Sequence, residues 1–501
     1  MADEALILRA DANEKIGSGH VMRCLALAQA YSEPGRRALF ATDGSVPALE
    51  GRLREGNVEI LTLDAVAGSL EDAERLAELA HRVNAKWIVV DGYQFGSAYQ
   101  ETIKSKSLNL LVLDDYGHAG KYFADIVVNQ NIHADESLYR NREPYTKLLL
   151  GTRYALLRKE FLDYQGWERG IPEVAGKVLV TLGGADPPNV TLKVILGLKG
   201  SYWDALQVVV VIGEKNSHYR ELVTAIEDVD FGIDLKRNVR SMSELMAWAD
   251  VAISGAGSTC WEMAFMGLPS VVIALADNQR LVAESLVAQG VATSLGWYEE
   301  FRGEEVCQIL SGLVKDRKKR EDMGRNGRKL VDGGGANRVA RLLRNDEIRL
   351  RLVREDDCRM LWNWANDDDV RGASFSSEQI TWEHHIEWFK SKTSDRDCLI
   401  FVAVDKQGLS IGQVRFERKE DGAQISISVE KALRDKGYGR RIIELASEKV
   451  FEMFDVHRID CYIKIENENS KRAFTNAGYK EIGLKTINGQ SAVHLQRSRQ
   501  Q

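Results

Sequence analysis

The segment Ile16-Gly17-Ser18-Gly19-His20-Val21-Met22-Arg23-Cys24 sets a histidine behind two glycines. It lies where the strand-like run Ala5–Asp11 gives way to an amphipathic stretch with Val21, Leu25 and Ala28 on one face. Glycine lets backbone approach a ligand closely, and the first turn of a helix offers unpaired N–H groups with a partial positive charge. Phosphate fits such a turn, and a histidine there is biased toward its neutral, proton-accepting form. The same residues also suit a tight strand-to-helix turn around a buried histidine. Two more glycine-rich turns follow. Leu182-Gly183-Gly184-Ala185-Asp186 precedes a helix for which Asn189 is the expected N-cap. Ser254-Gly255-Ala256-Gly257-Ser258-Thr259 precedes another, with Glu262 one turn in. Amides of Ser258 and Thr259 can hold phosphate oxygens while the carboxylate accepts ribose hydroxyls, an arrangement suited to a nucleoside diphosphate. Any one such turn can be explained by helix–strand packing, whereas the set, at the carboxyl ends of strands, points to ligand binding.

A fourth turn, Arg434-Asp435-Lys436-Gly437-Tyr438-Gly439-Arg440-Arg441, follows a strand-like run ending near Val429 and opens a helix carrying Ile442, Ile443, Leu445 and Ala446 inward. Its amides can converge on a pyrophosphate, with cationic side chains adding charge. Metal signals are weak: His384-His385 lacks zinc-ligand spacing and Asp114-Asp115 stands alone. No metal is expected, because loop amides and helix ends can carry the anionic charge.

These turns must be positioned by strands and helices. At 501 residues the chain exceeds one core, and three domains are expected, over 1–165, 166–345 and 346–501. Through the first, strand-like runs 6–9, 38–41, 58–63, 87–90 and 110–113 alternate with helical stretches such as 70–83. The alternation restarts with runs 178–182, 208–212, 251–254 and 271–274. The pattern predicts an α/β architecture of two Rossmann-like domains facing across a cleft. The last part differs: helices 356–364 and 382–390, strands 399–405, 411–417 and 423–429, then helix 439–454 predict an α+β domain. Asp332–Asn337 breaks a basic helix, and Lys315–Arg320 reads as a solvated helix face. A net charge of −7 gives no basic field for nucleic acid or anionic membrane. Six scattered cysteines without CxxC suit free thiols, and no apolar run or basic leader marks a membrane span or signal peptide, so the expected location is the cytoplasm.

Arg9-Ala10-Asp11, Gly17–Cys24, Val90-Asp91-Gly92-Tyr93, Asn129-Gln130-Asn131, Leu150–Arg158 and Ser254–Pro269 occur in an order that resembles the UDP-sugar hydrolases of pseudaminic acid biosynthesis. That family is related to the glycosyltransferase-B (GT-B) enzymes that add N-acetylglucosamine in peptidoglycan assembly. The resemblance spans residues 5 to about 340. It implies loss of UDP to water from UDP-2,4-diacetamido-2,4,6-trideoxy-β-L-altropyranose, by C–O cleavage with inversion. It also implies His20 as the base on water, Tyr93 lining the sugar pocket, and Asn278 and Gln279 contacting the sugar or its diphosphate. Gly17, Gly19, Gly183, Gly184, Ser258 and Thr259 would seat the diphosphate, Glu262 the ribose, and Val239 and Met242 would flank uracil.

The Arg434–Arg441 turn, Asn467-Glu468-Asn469-Ser470-Lys471-Arg472-Ala473-Phe474-Thr475-Asn476-Ala477-Gly478-Tyr479, Leu352-Val353-Arg354 and Trp364–Arg371 are similar to GNAT N-acetyltransferases over about 350–485. The resemblance implies acetyl-CoA as cosubstrate. Its pyrophosphate would sit on Arg434, Lys436, Gly437, Tyr438, Gly439 and Arg440, near Val429 and Asn467, and its pantetheine arm would run beside Ser428–Glu430 in a splayed sheet. Relatives place an acidic tyrosine where this chain has Phe474, which leaves Ser470, Tyr462, Tyr479 or water as the acid and Glu430 as a possible base. Trp382, His385 and Trp388 resemble the branch that acetylates 4-amino groups of sugar nucleotides, though core packing explains Trp388 more readily than His385. Together the two parts imply consecutive reactions on one polypeptide, acetylation of a UDP-4-amino sugar and then its hydrolysis. Transfer of the sugar to an acceptor alcohol, a non-catalytic UDP-sugar module, and acetylation of protein N-termini are the alternatives.

Overall fold

The computed structural model describes residues 4–499 except 13–17, 34, 45–46, 200–205, 215, 228, 230, 238, 345–347, 406–407, 421 and 435–436; Gly17 and Lys436 therefore lie outside the described residues. Residues 1–344 pack as one compact unit and 345–501 as another.

In the first unit, β1 (Glu4–Ala10), β2 (Arg36–Thr42), β3 (Val58–Thr62), β4 (Ala85–Asp91), β5 (Asn109–Leu113), β6 (Ile126–Asn129) and β7 (Lys147–Leu150) form a parallel sheet in the order β3-β2-β1-β4-β5-β6-β7. The strands are near-continuously apolar because helices cover both faces. The helix Gly19–Tyr31 packs on one side, and helices Leu70–Arg82 and Ser97–Ser105 on the other. A second parallel sheet holds β8 (Lys177–Thr181), β9 (Gln207–Ile212), β10 (Gly232–Arg237), β11 (Val251–Gly255), β12 (Ser270–Ala274) and β13 (Ala292–Trp297), in the order β10-β9-β8-β11-β12-β13. In each sheet the chain reverses its direction of winding beside the first strand, at β1/β4 and β8/β11. Ligands of open α/β sheets bind at that switch point, and the three glycine-rich turns follow β1, β8 and β11.

Local details depart from the expected ones. The helix Val190–Lys199 is capped by Asp186, whose carboxylate accepts from the amides of Val190 and Thr191; Asn189 has φ +54° and donates its side-chain amide to Glu221 instead. Arg320, expected on a solvated face, is buried and donates to carbonyls of Leu313, Val314, Pro172 and Glu173, while Arg317 and Lys318 keep i,i+4 partners in Glu321 and Asp322. A guanidinium can be buried when carbonyls take its protons.

The helix Gly335–Leu343, expected to end the second domain, packs Ala336, Val339, Ala340 and Leu343 into the core around Val21, Leu25 and Ala28 of the first. The chain thus returns to the first sheet, which joins the halves into one unit. Gly335 permits this, since a β-carbon there would lie 2.2 Å from the Ala155 carbonyl oxygen. Gly335→Ala is expected to destabilise this unit by about 1–3 kcal/mol through overpacking, read as a lowered urea midpoint with unchanged slope.

The second unit has β14 (Arg349–Leu352), β15 (Cys398–Val404), β16 (Ser410–Lys419), β17 (Gly422–Val429), β18 (Arg458–Lys464), β19 (Lys480–Ile487) and β20 (Gln490–Ser498) in the order β14-β15-β16-β17-β18-β20-β19. All neighbours are antiparallel except β17 and β18, which pair in parallel only from Gly422–Gln424 to Arg458–Asp460. Beyond Gln424 the two strands diverge, as the splayed-sheet expectation requires. Helices Tyr438–Met453 and Glu468–Asn476 cover one face, and Cys358–Ala365 and Trp382–Ser394 part of the other. The six cysteines are free, and no helix among the described residues is long and apolar enough to cross a membrane.

Candidate functional site

Asp91 is the last residue of β4, and the first turn of helix Gly19–Tyr31 starts beside it. His20 and Arg23, three apart on that helix, share a face and both reach the Asp91 carboxylate. His20 Nδ1 lies 2.6 Å from Asp91 Oδ1; Arg23 donates from Nε to Oδ2 at 2.5 Å and from Nη2 to Oδ1 at 2.6 Å. Arg23 also donates from Nη1 to Asp115 at 2.7 Å, so one buried guanidinium joins the ends of β4 and β5. Burial alone would raise the pKa of both carboxylates, but Arg23 outweighs it. Asp91, helped by His20, and Asp115 are held below the usual carboxylate range.

An ionised carboxylate only accepts hydrogen bonds. Nδ1 of His20 therefore carries the hydrogen and the Nε2 lone pair is left open. Arg23 Nη2 stands 3.2 Å from the same Nδ1, and the shorter Asp91 contact decides the tautomer. Tyr93, just past β4, sets its ring edge-on to His20 at 5.3 Å. Its hydroxyl donates to Asp115 at 2.8 Å and accepts from Asn278 Nδ2 at 2.9 Å. Burial and the Asp115 charge push the phenol pKa up, so Tyr93 stays protonated. Asn278 belongs to the helix Asp277–Ala288 of the second half. The expected trio His20, Tyr93 and Asn278 is thus brought together across the cleft.

Of the residues expected to seat a diphosphate, Gly19 and Ser258 lie close together. A β-carbon on Gly19 would stand 3.8 Å from Ser258 Oγ, so the two glycine turns face each other. The Ser258 side chain makes no cap at the helix Thr259–Phe265, and Gln279 accepts the Leu275 amide with its head beside Gly257. Glu262, expected on ribose, is paired at 2.9 Å with Arg158, which also meets Glu160 at 2.5 Å. Val239 passes its carbonyl to Arg52 of the first half. Met242 is largely core, with 8% of its surface exposed, and Gly184 packs against Gly213, whereas Gly183 takes the left-handed turn at φ +91°.

In the second unit Gly437 takes φ +78° and opens helix Tyr438–Met453, and Gly439 lies against Val429. Arg434 is held by other partners: Nε donates to the Val429 carbonyl at 3.0 Å, and Nη1 meets Asp367 and Asp369, each at 2.7 Å. Arg440 donates to Glu444, and Asn467 caps the helix Glu468–Asn476 through Ser470 N–H. Tyr479 is not an available acid: it is buried against Phe474, with its hydroxyl on Ser447 at 2.8 Å. Glu430 accepts from Trp364 Nε1. His385, rather than Trp388, is the core residue: it is 2% exposed, and its Nε2 lies 3.1 Å from the Cys358 carbonyl. Burial lowers its pKa.

Residues 178–334 match the glycosyltransferase family 28 C-terminal domain, and residues 347–480 the acetyltransferase (GNAT) domain. The C-terminal unit has a GNAT fold. Two parallel-sheet Rossmann-like halves, the second a glycosyltransferase family 28 C-terminal domain, precede it. An uncharacterized protein of Methanocaldococcus jannaschii is 22% identical over 94% of this chain and 96% of its own length. The UDP-2,4-diacetamido-2,4,6-trideoxy-β-L-altropyranose hydrolase of Campylobacter jejuni is 26% identical over 38% of this chain and 64% of its own. A spermidine N-acetyltransferase of Vibrio cholerae, solved with CoA and spermine, superposes on 30% of this chain and 95% of its own with 22% identity and a TM-score of 0.29. The chain therefore resembles such a hydrolase joined to a GNAT domain, at low identity, and the matches support an enzyme.

In the sequence, Asp91, Arg23 and Arg158 lie inside motifs that give them no role, Asp115 reads only as a weak metal candidate, and Arg52 carries no signal. A signal existed for Asp91: a lone acid closes the apolar run Trp87–Asp91 at the carboxyl end of a parallel strand, where ligands bind.

Proposed function

We propose that residues 1–344 hydrolyse UDP-2,4-diacetamido-2,4,6-trideoxy-β-L-altropyranose to UDP and the free sugar with inversion. Residues 345–501 transfer acetyl from acetyl-CoA to the 4-amino group of the preceding UDP-sugar. The hydrolase reading is carried by the 2.6 Å contact of His20 with an ionised Asp91, beside the facing Gly19 and Ser258 turns. Water attacks the anomeric carbon and gives its proton to His20 Nε2. The C–O bond to the β-phosphate breaks, and its electron pair leaves with UDP. Amides of the glycine turns stabilise the charge that grows on the diphosphate. Tyr93 and Asn278, hydrogen-bonded across the cleft, bound the sugar side. In the second unit the amine nitrogen bonds to the thioester carbonyl carbon, the C–S bond breaks, and coenzyme A leaves as the thiol.

Phosphorus-31 NMR of the full chain with this UDP-sugar tests the first reaction. UDP should accumulate while proton NMR shows a free sugar of inverted anomeric configuration. A glycoside in place of the free sugar would turn the reading toward an acceptor alcohol, and tight binding without turnover toward a non-catalytic module.

A further inference from the structure

Where β17 and β18 part, the open face of the sheet carries a histidine–carboxylate pair that the functional reading above leaves unused. The last parallel pair is Gln424 with Asp460. Registers across the sheet place Glu417, Gln424, Asp460 and Gln496 in one row, with Arg415 and Ser426 on one side of the gap and Tyr462 and His494 on the other in the next row. Asp460 Oδ1 lies 2.8 Å from His494 Nε2 and accepts from Gln496 at 2.9 Å, while Oδ2 accepts from Arg458 Nε at 3.2 Å. Burial opposes ionisation of Asp460, but these donors outweigh it and lower its pKa. An ionised Asp460 sets the hydrogen of His494 on Nε2 and leaves the Nδ1 lone pair free. No group among the described residues bonds that nitrogen, and it is not among the sealed polar atoms. The imidazole is fixed by stacking on Tyr462 at 4.8 Å.

The position of the pair follows from the gap. Between Val429 and Gln424 the edge of β17 facing β18 has no strand partner, and an extended arm carrying amides can pair along it. Five residues of strand span about 17 Å, a length that an extended pantetheine arm covers. An arm entering from the Gly437 turn therefore ends at the Gln424–Asp460 junction. The other candidate base, Glu430, is engaged by Trp364, and the candidate acid Tyr479 is held by Ser447.

We propose that His494 is the general base of the acetyl transfer, taking the proton of a primary ammonium acceptor at Nδ1, with Asp460 as its positioning residue. This rests on the acetyltransferase reading above. The amine so freed bonds to the thioester carbonyl carbon, the C–S bond breaks, and the proton lost by the newly acylated nitrogen passes through water to the departing thiolate. Charges facing this spot are Asp460 and Arg458 on β18, Lys485 on β19, and Glu417 and Arg415 on β16, with Lys392 reaching Glu417 from the helix above.

The test uses the full chain with acetyl-CoA and the UDP-4-amino sugar, following thiol release, with UDP release by the first unit from separately supplied UDP-2,4-diacetamido sugar as an independent control of integrity. His494→Gln can still donate to Asp460 but has no basic nitrogen. It should lower kcat roughly 10²-fold or more with acetyl-CoA binding by calorimetry unchanged, and His494→Ala should regain activity with added imidazole. Asp460→Asn should lower kcat with KM for acetyl-CoA unaltered. A His494→Gln enzyme transferring acetyl at the wild-type rate overturns the proposal. A wild-type enzyme that binds acetyl-CoA and acetylates neither this sugar nor a panel of primary amines overturns the acetyltransferase reading itself, and the proposal with it.

Discussion

His20→Ala should lower UDP release by about 10²–10⁴-fold, the usual contribution of a positioned acid or base, with KM for the UDP-sugar little changed. The reason lies in what the ring touches. Its Nδ1 is bound to Asp91, so the protein-facing nitrogen orients the ring and the outward one does the chemistry. Asp91→Asn sharpens the test. An amide can donate to Nδ1, which favours the tautomer with hydrogen on Nε2, where the mechanism requires a lone pair. It should therefore lower kcat without altering His20 itself. Steady-state kinetics with a coupled UDP assay give both values, and an undiminished kcat in His20→Ala would remove the histidine from the mechanism.

The second large effect is on stability. Arg23→Met leaves Asp91 and Asp115 buried without their common cation, and breaking a buried pair by removing one partner costs about 3–5 kcal/mol. The penalty depends on pH in a determinable direction. In the wild type both carboxylates have pKa values depressed below the ordinary range, so the unfolded chain binds more protons on acidification. The stability they contribute is complete above the ordinary carboxylate pKa of about 4 and is lost as pH falls through the folded values. In Arg23→Met, burial without the cation favours the protonated forms, so the variant loses less on acidification. Urea denaturation at neutral pH should show the full deficit, and titration below about pH 4 should narrow it. A deficit that stays constant with pH would mean that packing of the arginine stem, rather than its charge, supports the site.

The second effect also bears on how the site is encoded. Arg23 sits one helical turn from His20, on the face turned toward the strand ends, a spacing visible in the residues alone. That its guanidinium joins Asp91 to Asp115, which are 24 positions apart, required the parallel pairing of β4 and β5. Asn278 stands 185 residues from the Tyr93 hydroxyl it meets. The resemblance named both, but only packing of the two halves put them in contact.

The amino-acid sequence alone determined the alternation of apolar strands and amphipathic helices, the two Rossmann-like halves, the change of architecture near residue 346, and the glycine turns at strand ends. These follow from local periodicity and from the conformational freedom of glycine. Edge strands such as Lys480–Ile487 escaped because exposed, polar strands carry little periodic signal. Tertiary structure decided which polar groups meet: Arg158 with Glu262, Arg434 with Asp367 and Asp369, Arg320 with backbone carbonyls, and His494 with Asp460. It also returned the helix Gly335–Leu343 to the first sheet. A charged side chain in a folded protein takes the partner that burial brings within about 3 Å, and separation along the chain carries no information about that distance.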